Sequence, residues 1–144
     1  MLARRELSEA QVRQRLARKG HQPDAIDDAV ARLREERAID DDRVAGAMAR
    51  TAANLKRRGR RRVRLELERA GIHTDLAKQA VDEAFGGIDD RGVIDAVIDK
   101  RLGGRPSVED DREFRRLYRH LIGLGFEADL VIAALRKRKD DKDQ

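Results

Sequence analysis

Apolar residues recur along this chain at intervals of three and four positions, the spacing that places them on one side of an α-helix. A first helix is predicted to open at Ser8, to carry Val12 and Leu16 on one face and to stop at Gly20. A second helix is predicted to begin at Pro23, because the first position of a helix needs no backbone N–H. The pattern therefore indicates short helices separated by tight turns.

A third helix is predicted after Ile39, because Asp40, Asp41 and Asp42 are placed to meet the positive end of its dipole. The chain has few runs of β-branched or aromatic residues from which strands could form. We therefore predict an all-α protein.

The helical pattern repeats three times, in register with Gly20, Gly71 and Gly125. Eight and four residues before each of these glycines lies an aliphatic residue on one helical face. An Asp lies four residues after each glycine, and an Ala followed by Val or Leu lies nine and ten residues after it. The period of about fifty residues is long enough for three short helices. The predicted units are 1–55, 56–104 and 105–144, the last truncated and ending in a charged tail.

A three-helix unit of this size buries little surface alone, so neighbouring units are expected to pack end to end. The predicted architecture is three tandem three-helix repeats, similar to helix-turn-helix bundles, that form an elongated and curved array.

Composition narrows the possible chemistry. The chain has no Cys, which excludes thiol nucleophiles, disulfides and thiolate metal sites. Aromatic residues make up only 3%, so the core must be aliphatic. No stretch approaches the roughly 20 consecutive apolar residues of a membrane span, and the start lacks the apolar region of a secretory signal. We therefore expect a cytoplasmic protein.

The net charge of +5 hides a strong asymmetry. Residues 56–71 carry eight basic and two acidic groups, whereas residues 72–99 carry two basic and seven acidic groups. Arginine suits phosphates and carboxylates because its planar fork donates two parallel hydrogen bonds. Since no acidic residue interrupts the densest basic block, we favour partner or nucleic-acid contact there over a merely solvated helix start. The block consists of Lys56, Arg57, Arg58, Arg60, Arg61, Arg62 and Arg64.

A second basic cluster lies near the end of the chain, where a predicted helix stops. The helix dipole favours cations at such a place, so a solvated helix end explains this cluster as well as partner binding does. The scarcity of aromatic residues predicts that any DNA contact is to the backbone, weakly sequence-selective and dependent on salt. The cluster consists of Arg136, Lys137, Arg138 and Lys139.

Signals for catalysis are weak. His21, His73 and His120 lie in different repeats, and none has a second His at the spacing of a zinc-binding helix. The carboxylate pairs each precede a predicted helix, where capping explains them. The chain has no phosphate loop of the P-loop or dinucleotide-binding type. We therefore predict a protein that is not an enzyme and has no cofactor, metal or catalytic residue.

Several short motifs, taken together with the threefold period, resemble the RecX family over nearly the whole chain. In chain order they are LARREL at 2–7, LARKG at 16–20, AIDDDRVA at 38–45, Arg58-Gly59, RRVRLELERAGI at 61–72 and FRRLYRHLIGLGF at 114–126.

The resemblance implies a regulator of homologous recombination and the SOS response that binds the RecA recombinase. A monomer of this family would lodge in the groove of the RecA filament on single-stranded DNA, contact DNA or protein there, and inhibit filament extension, strand exchange and ATP hydrolysis by RecA. Whether it caps the filament or coats its groove stays open. The family usually has aromatic residues after its Asp-Asp-x-Arg turn, where this chain has Val44, Ala47 and Met48.

Two alternatives follow from the residues alone. One is a non-specific architectural DNA-binding protein without a recombinase partner, and the other is a helical adaptor for a different acidic protein. Dependence of binding on RecA distinguishes the RecA-directed function from both alternatives.

Overall fold

The computed structural model describes residues 6–55 and 58–140. These ranges contain eight α-helices and no β-strand, as the hydrophobic period predicts. The helices are α1 (Glu9–Arg18), α2 (Pro23–Glu35), α3 (Asp41–Leu55), α4 (Arg60–Arg69), α5 (Thr74–Phe85), α6 (Asp90–Leu102), α7 (Asp111–Gly123) and α8 (Ala128–Asp140).

Local sequence determines where these helices begin. Ser8 caps α1 in a reciprocal capping box, in which its Oγ accepts from the Gln11 N–H and the Gln11 side chain accepts from the Ser8 N–H. Pro23 occupies the first position of α2, and Asp110 caps α7 by accepting from the Glu113 N–H at 2.8 Å. The predicted starts of α1, α2 and α3 are confirmed.

The core is aliphatic and forms three clusters. The first lies between α1 and α2, where Val30 is fully buried. The second joins α3, α4 and α5 around Leu67 and Phe85. The third joins α6, α7 and α8 around Leu121 and Phe126. Both phenylalanines are buried, Phe85 at the end of α5 and Phe126 in the turn before α8.

The packing groups are offset by one helix from the sequence repeat. The repeat register assigns α3 to the unit at 1–55, but α3 shares a core with α4 and α5. Likewise α6 belongs to the sequence unit at 56–104 and shares a core with α7 and α8. The three predicted units therefore describe the period of the sequence, and as domain boundaries they stay a prediction.

Hydrogen bonds at equivalent positions connect successive repeats. Ser8 Oγ donates to the carbonyl of Ala70, and the backbone N–H of Gly59 donates to the carbonyl of Leu124 at 2.6 Å. Each donor lies twelve residues before the glycine of its own repeat, and each acceptor lies one residue before the glycine of the next repeat. We call these two contacts the repeat junctions.

Glycine is required on the acceptor side of both repeat junctions. Gly71 and Gly125 have φ values of +90° and +97°, which favour glycine. A Cβ on Gly71 would overlap the Cβ of Ala10, and one on Gly125 would lie 2.5 Å from the backbone nitrogen of Arg62. Gly20 has the same φ of +90°, but no atom of the described residues lies within 4 Å of the place a Cβ would take. Within those residues, the glycine turn of the first repeat is therefore uncovered.

The described residues form a helical repeat array, in which helices pack mainly on their neighbours along the chain. In the described ranges, no helix combines the length and apolar character of a membrane-spanning segment.

Candidate nucleic-acid and partner surface

The predicted basic block lies at the start of α4. Lys56 and Arg57 fall outside the described residues. The other five arginines lie in the loop before α4 and in its first turns, where the helix dipole is unfavourable for cations. Their charges therefore need carboxylates, backbone carbonyls, solvent or a partner to stabilise them. Those five are Arg58, Arg60, Arg61, Arg62 and Arg64.

Arg60 is committed to contacts within the protein. Its Nε lies 3.1 Å from Asp90 Oδ2, and its Nη2 donates to the carbonyl of Phe85 at 2.6 Å. The guanidinium carbon also lies 5.8 Å from the centre of the Phe85 ring. Because Phe85 ends α5 and Asp90 begins α6, Arg60 joins three helices.

Arg58 and Arg62 share one acceptor, the carboxylate of Glu66. Arg58 donates to it at 2.8 Å and Arg62 at 3.1 Å. Arg62 also donates to the carbonyl of Gly123 at 3.1 Å, across the second repeat junction. Both arginines therefore contribute to the packing of α4.

Two arginines of the block use none of their side-chain N–H donors within the described residues. Arg61 is exposed and Arg64 is half-buried, and within the described residues neither forms an ion pair or a side-chain hydrogen bond. Partner contact by the whole block stays a prediction. The contacts favour Arg61 and Arg64 as the residues that bind a partner, since the other three cations already have anionic or carbonyl partners.

The C-terminal cluster divides in the same way. Arg138 is 16% exposed and lies 2.6 Å from Asp99, which fixes α8 against α6. Lys139 Nζ lies 2.8 Å from Asp111 at the start of α7, and its hydrogen bond lowers the pKa of that carboxyl. Arg136 and Lys137 are exposed, and no partner for either lies among the described residues. Half of the cluster is therefore paired within the protein, and partner contact by the cluster stays a prediction.

A further group of arginines lies outside both predicted sets. Arg112, Arg115, Arg116 and Arg119 are exposed on α7, and with Asp110 they line an open groove. Their spacing of three, four and seven residues was readable from the sequence. A count of charges along the sequence does not identify them, because the acids Asp110, Asp111 and Glu113 lower the net charge of that stretch.

The histidines and carboxylates form no catalytic arrangement in the described residues. His73 Nδ1 accepts from the Asp75 N–H, which caps α5. His120 lies beside Arg101, and partial burial together with that cation lowers its pKa. Asp89 caps α6 by accepting from the Arg91 N–H. Across the same ranges, no group of three or more His, Asp or Glu side chains could hold a metal ion.

Comparisons with known proteins match this description. The profile of the RecX first three-helix domain matches residues 1–33, and that of the RecX second three-helix domain matches residues 40–81. The second match spans most of α3 to α5, the helices that share a core. The two matches together cover more than half of the chain.

Individual relatives carry the same name. The regulatory protein RecX of Halorhodospira halophila is 31% identical over 145 residues, which cover 100% of this chain and 87% of that protein. The regulatory protein RecX of Geobacillus kaustophilus is 32% identical over 135 residues, which cover 93% of this chain. The chain spans about half, 49%, of the length of this Geobacillus relative.

Solved structures confirm the fold. The crystal structure of RecX from Lactobacillus salivarius superposes with a TM-score of 0.69 at 17% identity, covering 91% of this chain and 84% of that one. A second crystal structure, of a regulatory protein RecX, has a TM-score of 0.68 at 18% identity, covering 91% and 64%. The chain therefore belongs to the RecX family, whose matched members are named regulatory proteins.

Proposed function

We propose that this protein binds the RecA recombinase and its filament on single-stranded DNA in the cytoplasm. It thereby inhibits filament extension, strand exchange and ATP hydrolysis by RecA, and so regulates homologous recombination and the SOS response. The observation that carries the proposal is membership of the RecX family across nearly the whole chain.

The architecture supports this proposal physically. An elongated array held at its repeat junctions can contact several successive subunits of a helical filament. Because the array is already ordered, binding costs little further conformational entropy. Uncommitted cations lie at separate places along the array, on α4 and on α7 and α8. In the sequence, the acidic stretch at 72–99 lies between them and would be repelled by phosphate. The charge pattern thus fits a composite surface of DNA and protein better than uniform binding to DNA.

The alternative is a DNA-binding helical protein without a recombinase partner. It is favoured by the unpaired arginines on α7, which could bind phosphate without any other protein. The two functions differ in whether the protein acts at concentrations too low to cover the DNA.

The deciding experiment titrates this protein, as a full chain, into RecA hydrolysing ATP on single-stranded DNA, and measures strand exchange in parallel. Two salt concentrations are used, because simple competition for DNA weakens steeply with salt. We expect inhibition at substoichiometric amounts. Inhibition only when the strand is saturated would instead support the DNA-binding alternative, and no effect at either salt would refute the RecA-directed function.

A variant pair tests the basic block within the same assay. Arg61→Glu with Arg64→Glu reverses two charges that have no partner among the described residues, so the fold should be kept. The matched control is Arg18→Glu with Arg32→Glu, which reverses two exposed and equally unpaired arginines on α1 and α2. We expect the first variant to need at least about tenfold more protein for half-inhibition, since two lost charge contacts are worth at least that much. Equal inhibition by both variants would remove the block from the contact surface.

A further inference from the structure

One face of α7 is purely cationic. Arg112, Arg115, Arg116 and Arg119 fall within an arc of about 100° around the helix axis and along about 10.5 Å of its length. The opposite face of the helix carries Leu117 and other core residues. We call these four residues the α7 arginine surface.

The nearby acids have their hydrogen-bond partners elsewhere, while Asp111 attracts Arg115 and Glu113 attracts Arg116 through charge alone. Asp111 is paired with Lys139, and Glu113 is paired with Arg105, whose Nη2 lies 2.7 Å from it. Asp110 accepts from the Glu113 backbone N–H as the helix cap. Within the described residues, no arginine of the α7 arginine surface has an ion pair or a side-chain hydrogen bond. Each guanidinium therefore presents all of its donors to solvent or to a ligand.

Helix α8 widens the cationic area. Arg136 lines a second groove together with Arg115 and Phe114, between α7 and α8. Arg136 is exposed and also lacks a partner in the described part of the chain. Five uncommitted arginines thus lie on two adjoining helices.

We propose that the α7 arginine surface binds the sugar-phosphate backbone of DNA. The inference rests on the proposed function, of which it refines the DNA contact, and it places that contact on α7 rather than on the predicted block at α4. A surface 10.5 Å long spans about three phosphates of one strand at 3.4 Å of rise each. Arginine side chains bind such phosphates bidentately.

The surface chemistry favours phosphate over a folded protein partner. Protein interfaces depend on buried aromatic or aliphatic anchors. The large hydrophobic side chains that are exposed in the described residues are Leu55 and Leu65, and neither lies on α7. Phe114 and Tyr118 are partly buried against the core, which leaves bases little ring surface on which to stack. Binding is therefore to the backbone and independent of base sequence.

The test measures binding of the full-length protein to a fluorescent single-stranded oligonucleotide by anisotropy, in the absence of RecA, between 50 and 200 mM salt. The variant is Arg112→Gln, Arg116→Gln and Arg119→Gln. The control is Arg18→Gln, Arg32→Gln and Arg91→Gln, which removes the same charge from exposed, unpaired arginines elsewhere. A thermal melt establishes that both variants fold. A duplex of the same sequence is measured in parallel to distinguish the two forms of DNA.

We expect the α7 variant to bind at least about tenfold more weakly at 50 mM salt, with a salt slope shallower by about 2, or 0.7 for each of three lost phosphate contacts. The control should keep both the affinity and the slope. Equal weakening in the control would show that the effect depends only on net charge, and it would overturn the proposed binding site. Undiminished DNA binding would also overturn it, and if inhibition of RecA were then lost, the surface would be a protein contact. RecA is absent from the binding assay. The result on DNA binding therefore stands whether or not the proposed inhibition of RecA is confirmed.

Discussion

The same sequence positions behave differently at a repeat junction and on the open surface. Gly125 lies against Arg62 of the neighbouring repeat, while Gly20 has the same type of backbone conformation and no neighbour within 4 Å in the described part of the chain. Arg60 is held by Asp90 and by a backbone carbonyl, whereas the adjacent Arg61 has no partner among the described residues. A glycine or an arginine of this chain therefore has a structural role where neighbouring residues cover it.

The largest expected effect comes from adding one methyl group at a junction. Gly125→Ala forces a Cβ to within 2.5 Å of the Arg62 backbone nitrogen and also requires a positive φ for alanine. Overpacking and backbone strain together should lower the free energy of unfolding by about 3 kcal/mol or more. Urea denaturation followed by circular dichroism measures this loss. A loss below 1 kcal/mol would mean that the junction opens easily.

Removing a committed arginine should have the next largest effect. Arg60→Ala leaves the Phe85 carbonyl and Asp90 without their partner, which should lower the free energy of unfolding by about 2 kcal/mol. Arg61→Ala is the matched control, because it removes a cation from the same helix turn. Its effect should stay within about 0.5 kcal/mol. If thermal denaturation showed equal losses for both, the contacts of Arg60 would not distinguish it from an open position.

The open glycine should be less sensitive. Gly20→Ala meets no atom within 4 Å in residues 6–55 and 58–140, so only the strain of a φ near +90° remains there. We expect a loss of about 1 kcal/mol in the same urea experiment. A loss as large as that of Gly125→Ala would indicate that the uncovered turn has an unrecognised neighbour.

The smallest expected effect concerns the third repeat. Glu113 lies twelve residues before Gly125, which is the position that Ser8 and Gly59 occupy in the first and second repeats. In the described residues Glu113 forms no such junction, and its carboxylate is bound by Arg105 instead. That hydrogen bond lowers its pKa below the ordinary 4.5. The pair therefore stabilises the folded state above about pH 4.5, and this contribution is lost as the pH falls further.

The corresponding test compares thermal melts of the parent protein and Glu113→Gln between pH 3 and pH 7. The parent should melt at a higher temperature at neutral pH, and the two curves should converge in acid. A difference that did not depend on pH would show that packing, rather than charge, holds this position.

Much of this organisation was predictable from local sequence. The serine cap of α1, the proline start of α2 and the glycine register depend on residues only a few positions apart, where capping and turn chemistry are decisive. The contact between Ser8 and Ala70 was not predictable, because its partners are 62 residues apart and meet only after the repeats pack.

The candidate surface was harder to predict. Counting charges identified the α4 block, but it could not show that Glu66 and Asp90 already neutralise most of the described arginines there. On α7 the same count concealed uncommitted arginines, because Glu113 is paired with Arg105. Net charge along a sequence does not reveal which cations are paired in three dimensions.

The fixed distance of twelve residues between each junction donor and its glycine also decides where the chain can change in length. The repeat spacings, 51 and 54, differ by three residues, yet this distance is the same at Ser8 and at Gly59. One residue inserted within it would turn the donor by about 100° away from the neighbouring carbonyl. Insertions and deletions should therefore be tolerated outside these twelve-residue segments, for example in the loop between α6 and α7, while the segments themselves evolve by substitution alone.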